Sequence, residues 1–230
     1  ALIVDYILTI TVSIAACGDA IFSFLPMEYH QYKLMFQVFL VLMLIVMNIR
    51  GVKESIYILA PVFVVFIITH IILIGYGFIG HAGEIGPVIQ EIKTDYNNGL
   101  ASLGTIGMMA LFFKAYSMGG GTYTGIEAVS NGLQIMKEPK VRTAKRTMVY
   151  MSLSLAITAG GLLFCYLLWD IKPEHGKTMN ALLSERVFEA WAFGGVIALI
   201  TIFSEGALLT VAAQAGFIDG PRVMANMALD

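Results

Sequence analysis

Residues 55–80 read SIYILAPVFVVFIITHIILIGYGFIG, a run that contains no Asp, Glu, Lys or Arg. An α-helix rises about 1.5 Å per residue, so about 20 apolar residues cross the ~30 Å hydrocarbon core of a bilayer. This stretch has that length and that composition. It therefore predicts a transmembrane helix.

Five further apolar stretches accompany it, at residues 1–25, 34–49, 101–136, 147–169 and 187–213. Together they predict an all-α transmembrane protein, with one membrane domain over residues 1–230 and six membrane-spanning helices. The second stretch is short, and the fourth is too long for one straight crossing. The polar segment 81–100 is predicted to hold an interfacial helical turn, and segment 170–186 is predicted to be a loop.

The composition excludes an ordinary soluble domain. Of the 230 residues, 58% are hydrophobic and 13% are charged, and the mean hydropathy is +0.79. Soluble proteins average about 45–50% apolar and about 25% charged residues. The lipid bilayer is therefore the predicted surrounding of this chain. The chain is expected to be a multi-pass protein of a bacterial inner (plasma) membrane, which the family resemblance given below implies.

Several function classes find no support in the sequence. A net charge of −2 provides no basic face for nucleic acid. Cys17 and Cys165 lie inside apolar runs without metal-ligand spacing, which is typical of helix filler. No two histidines stand four residues apart, and no crossing carries a catalytic motif of a membrane enzyme. We therefore predict no enzyme, no cofactor and no resident metal.

The basic residues predict the orientation. The segments after the second, fourth and sixth stretches hold eight Lys and Arg residues, and the opposite side holds five in longer, more acidic loops. Basic loops stay in the cytoplasm. Segments 81–100 and 170–186 are then on the outer side.

The first stretch carries oxygen-bearing side chains at Asp5, Thr9 and Ser13. The spacing i, i+4, i+8 places them in one stripe of a helix, one group per turn. An ionised Asp at the centre of a membrane helix costs about 2.5–3.5 kcal/mol, so its presence indicates a cavity, a cation or a proton that offsets this cost. Alternatively, Asp5 lies near an interface and the two hydroxyls bond to carbonyls of the preceding turn.

The fourth stretch contains Gly119-Gly120-Gly121-Thr122-Tyr123-Thr124. Consecutive glycines weaken a helix by about 1 kcal/mol each, which predicts a helix broken at Gly119–Gly121. Free carbonyls at such a break, beside the hydroxyls of Thr122 and Thr124, can hold a cation or a small polar solute. Close packing of helices through Gly121 and Gly125 is the alternative.

Two more carboxylates fall within apolar stretches. Glu127 follows Thr124 by about one helical turn and is a candidate for coupling or gating. Glu205 lies in the sixth stretch, and its role stays open.

Four segments together resemble the amino acid–polyamine–organocation superfamily of secondary transporters. Residues 5–13 (DYILTITVS) are similar to the third helix of that family, and residues 48–55 (NIRGVKES) to the turn between its fourth and fifth helices. Residues 124–132 (TGIEAVSNG) are similar to its broken sixth helix, and residues 220–228 (GPRVMANMA) to the turn after its eighth. The resemblance implies an inverted-repeat fold of the LeuT type. The chain would then be an internal portion covering helices three to eight, with the repeat boundary near residues 81–100.

Within that superfamily the chain resembles most the branch that imports potassium together with protons. This resemblance implies a cation site at Asp5, Thr9, Ser13 and Thr124. Gly119–Gly121 stand where that branch usually carries a cysteine, and segment 55–79 lacks the lysine that is common in amino-acid carriers. The expected partners are the bilayer, a proton and a small solute, either potassium or an amino acid. A non-transporting receptor or scaffold is the remaining alternative, and a homodimer stays open.

Overall fold

The structure is a computed structural model that describes residues 2–50, 53–119, 129 and 136–227. Within these residues the chain forms helices and turns, without a strand. Short 3-10 turns at Met27–Tyr32 and Ala82–Glu84 lead into the second and fourth helices. The α-helices are α1 (Leu2–Phe22), α2 (Lys33–Arg50), α3 (Lys53–Gly80), α4 (Ile85–Gly119), α5 (Lys140–Leu168), α6 (Met179–Phe188) and α7 (Gly194–Met227).

Six of these helices, α1 to α5 and α7, are long and apolar enough to cross a membrane. The prediction of an all-α protein with six membrane-spanning helices is therefore confirmed. Large apolar side chains cover the outside of the bundle, and Ile49 and Ile106 are 80% and 86% exposed. An apolar surface of this extent is suited to lipid and not to water.

The long helix α7 lies at the centre of the described bundle. It packs most extensively along α1 and also contacts α2, α3 and α6. One buried cluster joins α1, α2 and α7 through Cys17, Leu44 and Ala213. At Gly216 of α7, a Cβ atom would lie 3.2 Å from the carbonyl oxygen of Tyr6, so the two helices approach closely where the side chain is absent.

Helix α6 occupies part of the segment that was predicted to be a loop. Its apolar side chains Leu183, Val187 and Phe188 are fully buried against α3, α5 and α7. Thr178 caps the helix, because its hydroxyl accepts a hydrogen bond from the backbone N–H of Ala181 at 3.3 Å. The loop prediction is wrong at residues 179–186, where a cap and a short buried face form a helix.

Helix α4 begins at Ile85, so the predicted interfacial turn in segment 81–100 is far too short. The apolar positions Ile85, Val88, Ile89 and Ile92 follow the spacing i, i+3, i+4, i+7 of an amphipathic helix. The helix is interrupted at Gly104, whose φ of 67° and ψ of 174° are not helical. Two helical pieces therefore meet at this residue.

Replacing Gly104 by Ala is expected to lower the free energy of unfolding of the full-length protein by about 1–3 kcal/mol, because only glycine adopts this backbone region without strain. Gly86→Ala is the matched control, since Gly86 lies in the same helix with open space around a Cβ. Thermal unfolding in detergent measures both. Equal melting temperatures for the two variants would contradict the assignment of strain to Gly104.

Candidate functional site

Helix α1 holds three residues of the predicted site, Asp5, Thr9 and Ser13, and the structure describes all of them. Asp5 lies one turn from the start of the helix, and the hydroxyl of Thr9 donates a hydrogen bond to the carbonyl oxygen of Asp5 at 2.9 Å. This bond uses the hydroxyl proton and leaves the lone pairs of the Thr9 oxygen available. The alternative prediction, a back-bonded hydroxyl, is therefore found at Thr9, and such an oxygen can still act as a ligand.

Burial increases along this stripe of α1. Asp5 is exposed, Thr9 is half-buried and Ser13 is only 9% exposed. At the level of Ser13, the neighbouring residues Ile14 and Cys17 of α1 pack in a buried cluster with α2 and α7. One turn further, the thiol of Cys17 lies 3.4 Å from the hydroxyl of Thr210 on α7. The stripe thus leads from an exposed carboxylate into the interior of the bundle.

The structure describes only the first residue of the glycine run Gly119–Gly121. Helix α4 is described as far as Gly119. A Cβ atom added at Gly119 would have no neighbouring atom within 4 Å among the described residues. Gly120, Gly121, Thr122, Thr124 and Glu127 lie outside the described residues. The predicted break at Gly119–Gly121, and the contact between these residues and α1, therefore stay predictions.

A second polar group joins α5, α6 and the first half of α7. The hydroxyl of Tyr166 on α5 contacts the side-chain oxygen Oδ1 of Asn180 on α6. The Nδ2 group of Asn180 donates a hydrogen bond to Oε2 of Glu205 on α7 at 2.9 Å. The sequence indicated Glu205 as an intramembrane carboxylate, but it indicated neither of its two partners.

Polar side chains also meet between α3 and α7, where Ser204, the residue before Glu205, faces Thr69. The hydroxyl oxygens of Thr69 and Ser204 are 3.3 Å apart, and both side chains are buried. His70 is 2% exposed, and its Nδ1 lies 2.9 Å from the carbonyl oxygen of Phe66, which requires a proton on that nitrogen. Its Nε2 has no hydrogen-bond partner within the described part of the chain.

The arrangement favours binding of ions and protons over bond-making chemistry. Hydroxyl, carbonyl and carboxylate oxygens are ligands for hard cations, and they lie on the partly exposed stripe of α1 and at the buried or half-buried polar contacts of α7. Within the described ranges, no three His, Cys, Asp or Glu side chains come together as a metal site would require.

Two comparisons with known proteins bear on this chain. A family model described as "Amino acid permease" matches residues 1–218. The potassium transporter KimA of Bacillus subtilis (strain 168) is 35% identical over 233 aligned residues. That alignment covers 100% of this chain and 36% of the relative, so the chain spans about a third of the relative's length.

Proposed function

The chain belongs to the amino acid permease family of the amino acid–polyamine–organocation superfamily, and from this premise we propose that the full-length protein imports potassium together with protons. Membership of this family makes the chain part of a multi-pass membrane transporter and not an enzyme. The proposed cargo rests on one observation, the 35% identity to a potassium transporter along the entire chain. We further propose a bacterial inner membrane as its location, because that relative comes from Bacillus subtilis.

The polar stripe of α1 supports a cation as cargo. Asp5 supplies a negative charge, and Thr9 and Ser13 supply neutral oxygens at successive turns. Asp5 and Ser13 are eight residues apart, which is about 12 Å along the helix. One ion cannot contact both side chains, so in this proposal the stripe acts as a track, with Thr9 between its two ends.

The remaining ligands are assigned to the fourth stretch. In the proposal, carbonyl groups at Gly119, Gly120 and Gly121 and the hydroxyls of Thr122 and Thr124 complete the coordination of the ion. Glu127 serves coupling or gating. In the proposal, the chain comprises helices three to eight of an inverted-repeat fold, with the repeat boundary near residues 81–100. Transport itself is a property of the full-length protein.

An amino acid as cargo is the second candidate, because the matching family model describes amino acid permeases. The full-length protein, produced in a bacterium that lacks its own potassium uptake systems, separates the two. Uptake of labelled rubidium and growth at low potassium are expected. Uptake of labelled amino acids without rubidium would replace the potassium proposal by the amino acid one.

Replacing Thr9 by Val is expected to raise the KM for rubidium about tenfold, because one ligand oxygen worth ~1.4 kcal/mol is lost while the shape of the side chain is kept. Thr11→Val is the matched control. Thr11 bonds to the carbonyl oxygen of Ile7 at 2.9 Å in the same way, but it lies about 200° around the helix from Thr9. Equal KM values for the two variants would remove Thr9 from the site.

A further inference from the structure

Glu205 is a carboxylate at membrane depth that lies outside the proposed cation track. It is the twelfth residue of α7, about 16 Å along the helix from Gly194, and lies within the span Gly194–Ala225 that is long and apolar enough to cross a membrane. Within the described ranges, no Lys, Arg or His forms a salt bridge with it. A permanently ionised carboxylate in this position would be costly, which favours a group that gains and loses a proton.

Few side chains near Glu205 could balance the charge of its carboxylate in place of a proton. Helices α1, α3 and α5 contribute the titratable side chains Cys17, His70, Cys165 and Tyr166. Helix α6 contributes Asn180, and the adjacent Lys177 is paired with Glu185 at 2.6 Å. Helix α2 meets α7 at the neutral pair Asn48 and Gln214.

The hydrogen-bond chain can satisfy Glu205 in both protonation states. With the carboxylate ionised, Tyr166 O–H donates to Asn180 Oδ1, and Asn180 N–H donates to Glu205, as the structure shows. With a proton on Glu205, a 180° turn of the Asn180 amide lets Glu205 O–H donate to Oδ1 while N–H donates to the Tyr166 oxygen. Tyrosine both donates and accepts, so Tyr166 keeps its bond to Asn180, and its own O–H is released to donate to water in the cavity that Tyr166 lines.

A cavity lies beside Tyr166, at the end of the bundle that the charge pattern predicts to be outside. Its volume is about 400 Å³, and Tyr166 forms part of its wall. Glu91 and Asp95 of α4, together with Asp170 after α5, also line it. Water in a cavity with this acidic lining can deliver a proton to the tyrosine end of the chain.

We propose that Glu205 is an intramembrane proton-binding site, reached from the outer cavity and held by the Tyr166–Asn180 chain, whose hydrogen bonds reverse when the proton binds. The reaction adds one proton from water to the carboxylate and gives the neutral acid. Proton binding is argued from the contacts above. Its use as the coupling step of transport, with Glu127 then serving as the gate, rests on the proposed function.

Infrared difference spectroscopy of the full-length protein during a pH change tests proton binding without any cargo. A C=O band of a protonated carboxyl group is expected, with loss of one component in Glu205→Gln and no loss in Glu84→Gln, an exposed carboxylate. Asn180→Leu removes the donor to the carboxylate, so the Glu205 component should persist to higher pH. Identical spectra of wild type and Glu205→Gln would overturn the proposal. If Glu205→Gln does not fold, an unshifted band in Asn180→Leu overturns it instead.

Proteoliposomes test the coupling. For each variant, rubidium uptake driven by a pH gradient is divided by rubidium exchange without a gradient. In wild type this ratio is expected to exceed one. In Glu205→Gln it is expected to fall to about one, because the gradient no longer drives uptake. An unchanged ratio would overturn the coupling role. Wild type that moves no rubidium would reject the proposed function, and the infrared band would still decide proton binding at Glu205.

Discussion

Asp5→Asn in the full-length protein is expected to abolish growth at low potassium and to reduce rubidium uptake by about a hundredfold. The substitution keeps the shape of the side chain and removes its charge. Asp5 is the carboxylate of the proposed cation track, and the neutral oxygens of Thr9 and Ser13 cannot balance a positive charge inside a membrane. At the centre of a membrane helix one charge corresponds to about 2.5–3.5 kcal/mol, or two orders of magnitude in binding.

The control for this variant is Asp19→Asn on the same helix. Asp19 is paired with Lys33 at 2.6 Å, and its side chain is 52% exposed. An exposed pair of this kind contributes about 1 kcal/mol or less. Uptake by Asp19→Asn should therefore remain close to that of wild type. Full uptake by Asp5→Asn at an equal amount of folded protein would reject Asp5 as a site residue.

The number of crossings and the helical class were predictable because they depend on local composition. A run such as residues 55–80 has to be a helix in a bilayer, whatever surrounds it, since its backbone groups have no water to bond. Helix α6 depends on its neighbours instead. Its buried residues Leu183 and Phe188 occupy a polar segment, and the sequence signal was the Thr178 cap followed by apolar residues at helical spacing.

The candidate site was predictable only where it depends on a single helix. Spacing along one helix aligned Asp5, Thr9 and Ser13, because a stripe on one helix is a property of a single segment. The contacts of Glu205 were not predictable in this way. Tyr166 and Asn180 lie 39 and 25 residues away along the chain, on two other helices. Only the packing of α5, α6 and α7 brings them together.

Phe188→Ala is expected to cause the largest loss of stability. The side chain is 0% exposed at the end of α6, and its ring centroid lies 5.4 Å from that of Trp191. Removing a buried phenylalanine ring costs about 3–5 kcal/mol through lost contacts and the cavity that remains. Thermal unfolding of the full-length protein in detergent, at matched detergent and protein concentration, measures the change.

Phe193→Ala is the matched control, because Phe193 follows five residues later and is 74% exposed. A surface position of this kind should change the free energy of unfolding by less than about 0.5 kcal/mol. Equal stability of the two variants would show that α6 is not anchored by Phe188. The buried position of Phe188 also bears on the Glu205 site, because α6 carries both Phe188 and Asn180. If Phe188 holds α6 in place, Phe188→Ala weakens the hydrogen bond to Glu205, and the infrared band of Glu205 should persist to higher pH, as in Asn180→Leu.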